Sequence, residues 1–259
     1  MKTAKAVYAV LIVFFLVAPL LVILPLAFTS SAFLTYPMPG WSLRWFNELF
    51  SSAVWSRSIV NTLIIASATT VLATVLGTLA ALGLRARELG LKSQIRTLFL
   101  LPMVVPAVVL GVGMQALFVQ LGFNSTYASV IVAHTVLAMP FVVISVSGSL
   151  AGIDRRVERA AESLGASPWR VFRLVTLPLA LPGVLSGAAL AFATSLDEVV
   201  LTLFVAGPNQ RTLARQMFST LRENISPAIA SAAFIIIVGT VVTALVLMLA
   251  RRGARKAGA

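Results

Sequence analysis

The sequence predicts an all-α, polytopic membrane protein with six transmembrane helices, and three observations support this. Of its 259 residues, 59% are apolar and only 11% charged, where a water-soluble domain carries roughly half and about a quarter. Six stretches reach the roughly 20 apolar residues that a helix needs to cross a hydrocarbon core of about 30 Å, and five of them hold no Asp, Glu, Lys or Arg. The 20 Lys and Arg fall between these stretches, divided fifteen to five between alternate sides. The net charge of +12 is therefore a loop asymmetry, not a nucleic-acid-binding face. With no Cys and one His, the chain has no disulfide, thiolate metal site or Cys nucleophile, and no multi-His metal site of its own.

Residues 6–28 form the first span, read as a retained helix because the run exceeds the roughly 7–15 apolar residues of a signal peptide. The outer segment 29–58 holds Trp41, Trp45 and Trp55. Ser42 is placed to cap a short helix there, whose stripe of Leu43, Phe46, Leu49, Phe50 and Val54 is expected to lie along the membrane surface. The remaining spans are 59–84, 98–119, 128–150, 177–206 and 228–250, in a single membrane domain over 1–259. Pro102, Pro106, Pro140 and Pro182 are expected to bend their helices, and Gly111 and Gly113 to loosen theirs. With the N-terminus inside, the inner segments hold fifteen cations, Lys2, Arg87, Arg251, Arg252, Arg255 and Lys256 among them. The outer segments hold only Arg44, Arg57, Arg211, Arg215 and Arg222. This places both termini and the 152–176 loop in the cytoplasm.

That loop is the most informative stretch. Val157, Ala160, Ala161 and Leu164 fall at i, i+3, i+4 and i+7, giving a short helix one apolar face. Gly165 supplies the left-handed conformation that ends it. Ser167 before Pro168 starts a second helix carrying Trp169, Phe172 and Val175 towards the membrane. The apolar face either packs under the chain's own bundle or seats in a partner protein.

Glu158-Arg-Ala-Ala-Glu-Ser-Leu-Gly165, nine residues, and Val175-Thr-Leu-Pro178 resemble the EAA loop of ATP-binding-cassette importer permeases. In that pattern Glu-Ala-Ala is followed by three residues, Gly, nine residues, an aliphatic, one residue and Leu-Pro. Its Glu aligns with Arg159, while this chain has a Glu one place earlier, at Glu158. Ser195-Leu-Asp-Glu-Val-Val200, Phe204-Val-Ala-Gly-Pro208 and Ile225-Ser-Pro-Ala-Ile-Ala230 resemble the spermidine/putrescine branch. The resemblance implies a type I, MetI-like permease of the bacterial inner membrane, paired with a second permease subunit. It also implies an extracytoplasmic solute-binding protein, and a cytoplasmic ATPase dimer that holds ATP and Mg. Val157, Glu158, Ala160, Ala161, Leu164 and Gly165 would then form the helix that couples to the ATPase.

The chain lacks any Gly, four residues, Gly-Lys-Ser/Thr loop able to cradle phosphates, so it has no nucleotide motif, cofactor or catalytic residue of its own in this reading. Asp197 and Glu198 are the ionisable residues within the fifth span, whose 30 residues would measure about 45 Å if straight, so the helix is expected to break near them. Gly183, Gly187, Ala191 and Ser195 form a small-residue stripe that faces protein, beside which the acids sit. Two readings of the pair stand level: attraction of a cationic solute such as a polyamine, or a structural role capping the break or pairing with Arg211 or Arg215. His134 reads as an interhelical hydrogen-bonding group.

The function expected is an ATP-driven importer permease for a small cationic solute, working by alternating access. The rivals are a permease for an opine, 4-aminobutyrate or another amino-acid-derived solute, and a non-translocating structural or receptor subunit. An intramembrane enzyme would need clustered acid, base or nucleophile at one depth, which the chain does not offer.

Overall fold

The computed structural model describes residues 2–86 and 90–257, with side chains over 5–86 and 90–245. Arg87, and the side chains of Lys2, Arg251, Arg252, Arg255 and Lys256, lie outside the described residues. The helices are α1 (Lys2–Leu26), α2 (Arg44–Ser51), α3 (Ala53–Arg85), α4 (Lys92–Leu100), α5 (Ala107–Gln120), α6 (Tyr127–Ala151), α7 (Arg155–Ser163), α8 (Pro168–Val171), α9 (Leu177–Asp197), α10 (Val200–Val205), α11 (Leu213–Glu223) and α12 (Ala228–Ala257). The only β-pairing among the described residues is one bridge between Thr29 and Trp41.

Five segments are long and apolar enough to cross a membrane: Lys5–Leu26, Ala53–Arg85, Tyr127–Ala151, Pro168–Asp197 and Ala228–Leu245. A bent pair, Lys92–Met103 with Ala107–Gln120, makes the sixth. At one end of the bundle Arg85 meets Glu158, and at the other Asn61 meets Tyr127. The chain between α3 and α6 must therefore cross back, and the bent pair is that crossing.

The third span is accordingly not the single helix expected over 98–119. Its two halves meet at 98°. Pro102 opens a one-turn 3-10 helix over Leu101–Met103, and Pro106, extended at φ −54° and ψ 130°, starts α5. Neither proline donates a backbone hydrogen bond, and the residue before Pro106 is pushed out of helical geometry. Pro140 and Pro182, by contrast, sit inside helices that continue past them. Gly111 has a packing role. It receives the Phe204 ring, which a Cβ there would meet at 2.6 Å.

The other differences follow from packing. The second span starts six residues early, so α3 runs 33 residues, about 50 Å. The second loop helix, α8, is not separate. It continues through a π-turn at Phe172–Thr176 into α9, a register change that absorbs the missing N–H of Pro178. Ser167 stands at its N-cap but makes no side-chain cap bond. In the outer segment the Ser42 hydroxyl accepts from the Arg44 N–H at 3.1 Å. The stripe expected on α2 is split, however: Leu49 is buried, while Leu43, Phe50 and Val54 are exposed. The buried face is Trp45 and Leu49, joined by Trp55 against Leu213, Ala228 and Ala232. Only Trp41 remains outward, 72% exposed, as an interfacial ring.

The core is the trio α3, α6 and α9. Ala73, Ala81, Ala138, Val142, Val146, Leu150, Ala180 and Ala191 form its dry centre. Val142 is wedged between two glycines: a Cβ on Gly77 would lie 2.7 Å from its side chain, and one on Gly187 2.9 Å from its Cα. The Gly183, Gly187, Ala191, Ser195 stripe is buried throughout, as a protein-facing side should be. In lipid, association gains little from the hydrophobic effect, so close contact over small residues supplies the attraction. α1 touches this body mainly through α12 and is otherwise bare to lipid.

Gly183 gives the sharpest test, because a Cβ there meets Ser149 Cβ at 2.4 Å and the Ser145 carbonyl at 2.7 Å. Gly183→Val should destabilise the detergent-solubilised protein by about 1–3 kcal/mol, read as a lowered thermal midpoint. Gly148→Ala, with open space around its Cβ, should not lower it.

Candidate functional site

At the end of the bundle carrying the 152–176 loop, α7 stands out from the body. Asp154 caps it through a hydrogen bond from the Arg156 N–H, and Gly165, at φ +85°, turns the chain out of it. Val157 and Leu164 are 48% and 89% exposed, and Ala160 is exposed beside them. Ala161 is half-buried over the crevice between α7 and α8, where Arg170, Val171 and Leu174 also lie. The apolar face therefore does not pack under its own bundle.

Glu158, on the same helix, points the other way. Its Oε1 accepts from Arg85 Nη1 at 2.5 Å and from the Thr176 hydroxyl at 2.6 Å. Arg85 also donates to the Ile153 carbonyl at 3.0 Å, and Arg155 donates to the Arg85 carbonyl. One carboxylate thus ties α7 to the end of α3 and the root of α9. The Arg85 and Glu158 side chains are only 15% and 18% exposed, so water screens this pair little. Arg159, at the EAA position of the usual Glu, is exposed and makes no such bond. Arg85 and Thr176 had no sequence signal, since they lie 73 and 18 residues from Glu158.

Near the opposite end, α9 stops at Asp197. Glu198 is extended at φ −70° and ψ 113°, and its Oε1 accepts from the Leu201 N–H at 2.7 Å, capping the short α10 that follows. Asp197 is exposed, and its carboxylate makes no hydrogen bond or ion pair with another residue among the described residues. Neither acid pairs with Arg211 or Arg215. Arg215 donates instead to the Ala206 carbonyl at 2.8 Å, and burial and the neighbouring Arg211 both lower its pKa from the ordinary arginine value. The structure thus separates the two acids: one carboxylate is committed to backbone, the other open.

His134 holds this elbow to α6. Its Nδ1 lies 2.8 Å from the Ser195 hydroxyl and its Nε2 2.9 Å from the Thr202 hydroxyl, one on each side of the break. Thr202 donates to the Glu198 carbonyl, so it accepts from Nε2–H, and Nδ1 accepts from Ser195. Further along, Asn61 donates to the Asn209 and Arg211 carbonyls at 2.8 and 2.9 Å and accepts from the Tyr127 hydroxyl at 2.6 Å. Sequence reading missed Asn61, whose amide is saturated only by three distant segments. No group of His, Asp or Glu able to hold a metal occurs among the described residues.

Comparison with known proteins places these features. The profile of the family described as "Binding-protein-dependent transport system inner membrane component" matches residues 73–255. The chain is 34% identical over 230 residues to the putrescine transport system permease protein PotI of Escherichia coli (strain K12), covering 86% of this chain and 82% of that one. It is 30% identical over 251 residues to the spermidine/putrescine transport system permease protein PotC of the same strain, covering 97% and 93%. It is also 35% identical over 260 residues to the putative 2-aminoethylphosphonate transport system permease protein PhnV of Salmonella typhimurium, covering 98% and 95%. Among solved structures, a chain of a bacterial alginate ABC transporter superposes with a TM-score of 0.72 at 17% identity, covering 98% and 96%. One of the inward-facing MetNI methionine ABC transporter superposes at 0.67 and 20%, covering 77% of this chain and 95% of that one. At these identities the two structures establish the fold alone.

Removing the carboxylate at position 158 leaves the Arg85 charge in a poorly hydrated place. Glu158→Gln should cost about 1–3 kcal/mol of stability. In a double-mutant cycle with Arg85→Gln the two losses should fall short of additivity by a similar amount. Strict additivity in thermal or denaturant unfolding would show that the pair contributes nothing.

Proposed function

Since this chain belongs to the family of binding-protein-dependent transport system inner membrane components, we propose that it forms, with a second permease subunit, the path by which an importer admits a small amine-bearing solute, a polyamine above all. Hydrolysis falls to a separate ATPase dimer that holds ATP and Mg, because this chain lacks a phosphate-cradling loop. An extracytoplasmic binding protein delivers the solute. The asymmetry of the cations supports a cytoplasmic side for α7 and both termini.

The observation that carries this reading is the two-sided α7. Its outer face, with Leu164 89% exposed, is shaped to seat in a partner, while Glu158 on its inner side bonds to α3 and α9. A push delivered to Val157, Ala160, Ala161 and Leu164 therefore reaches two helices of the glycine-packed core rather than a loop. Tight packing transmits such displacement as movement of whole helices. Alternating access follows when paired permease subunits rock against each other as the ATPase closes.

The cargo class rests on chemistry shared by the named relatives. Putrescine, spermidine and 2-aminoethylphosphonate all carry a primary amine, protonated near neutral pH. Asp197 is the carboxylate beside the small-residue face that is left open to meet such a group. An anionic solute lacking an amine would find repulsion there.

Two measurements test this. In vesicles containing the assembled importer, Asp197→Asn should lower putrescine uptake about tenfold while binding-protein-stimulated ATP hydrolysis persists. Undiminished uptake would remove Asp197 from the path. Leu164→Asp should leave the permease folded and membrane-inserted but abolish co-purification of the ATPase. Retention of the ATPase would show that α7 is not its docking element.

A further inference from the structure

We propose that the cavity at the cytoplasmic ends of α3 and α6 is a binding site for the phosphate headgroup of an anionic lipid from the inner leaflet. The cavity measures about 740 Å³. It has two chemically distinct walls. Ala81, Leu84, Leu150, Ala151 and Ile153, from the spans and the turn after α6, make an apolar floor. Lys92, Arg96, Arg155 and Arg159 stand around its rim with Arg85, and Asp154 is the one acid among the described residues that lines it.

The acids at hand do not balance this rim: Glu158, held by Arg85 and Thr176, offsets Arg85, and Asp154, which accepts from the Arg156 N–H at 2.8 Å, sets one charge against Lys92, Arg96, Arg155 and Arg159. Arg155 spends part of its guanidinium on the Arg85 carbonyl. Lys92, Arg96 and Arg159 make no side-chain hydrogen bond or ion pair among the described residues. A concentration of like charge around one cavity is unfavourable unless an anion joins it, and phosphate is an anion that both Arg and Lys bind through charge-assisted hydrogen bonds.

The orientation of α4 selects a lipid over a soluble phosphate. The 98° bend sets α4 nearly at right angles to α5, at the end of the bundle where the cavity opens. None of its residues is buried in the protein, and Ile95, Leu98 and Phe99 form an apolar stripe, Leu98 being 66% exposed. Lys92 and Arg96, four residues apart, share a face at the cavity. This is how an interfacial helix sits: apolar side in the acyl boundary, cations at headgroup level. The cavity therefore opens where headgroups are, and its apolar floor has a use only for a ligand that brings hydrocarbon. The same charge repels a protonated amine, so the site is separate from the solute path.

The test uses the complete importer in mild detergent, with phosphatidylglycerol and phosphatidylcholine added as competing probes and retained lipid counted by native mass spectrometry. The wild-type complex should keep phosphatidylglycerol over phosphatidylcholine, and Lys92→Gln with Arg96→Gln should reduce that preference about tenfold. Arg222→Gln, on the opposite side, should leave it intact. If the double variant does not assemble, Arg159→Gln alone should still lower the preference severalfold. An unaltered preference in these variants overturns the proposal. So does displacement of the lipid by millimolar inorganic phosphate, which would mark a site for a soluble anion.

Discussion

The rest of the structure depends on one close approach: Val142 of α6 pressed between Gly77 of α3 and Gly187 of α9. Because lipid tails are as apolar as the side chains they would cover, three helices hold together in a bilayer only if their surfaces fit nearly atom to atom. The two glycines, with Gly183 against Ser149, let backbone meet side chain without an intervening Cβ. A body packed this tightly does not flex gradually. It transmits force as a unit, and the polar joints at its two ends then become meaningful, because each connects a short, irregular piece to something rigid.

The two joints use the same chemistry at different depths. At the end carrying α7 a carboxylate, a guanidinium and a hydroxyl join that helix to α3 and α9. At the other, one imidazole bridges the hydroxyls on either side of the α9–α10 break. Unsatisfied polar groups in hydrocarbon cost several kcal/mol, so a helix break survives there only when its freed groups are matched. Glu198 and His134 do this matching, and in doing so they leave Asp197 as the open charge at the elbow. The likeness of the two acids in sequence conceals that only one has a structural task.

How much could be read beforehand divides along the range of the interaction. The spans, the left-handed turn at Gly165, the exposed face of α7, the buried small-residue stripe and the break at Asp197–Glu198 all follow from residues within a turn or two of one another, or from chain length against membrane thickness. The 98° bend did not, because proline marks where a helix can yield but not by how much: Pro106 breaks its span while Pro140 and Pro182 do not. The burial of Trp45 and Leu49 depends on α12, nearly two hundred residues away, and no local pattern reports it. Glu158 is the clearest case. Its place one residue before the usual EAA glutamate is legible in sequence but its partners are not: one residue is 100° on a helix, enough to turn a carboxylate from the exposed face, where Arg159 now stands, to the inner one.

The cation distribution that orients the chain also constrains what each end can bind. Topology needs Lys and Arg inside, and most loops disperse them in water. Here the bend in the third span folds a short basic helix back over the ends of α3 and α6, so charges placed for orientation converge on one cavity. A cation leaving towards the cytoplasm gains nothing by passing close to that rim. Asp197, the carboxylate left open, stands near the other end of the core, beside the small-residue stripe of α9. The positive rim is thus the joint product of a loop charge asymmetry and one bent helix.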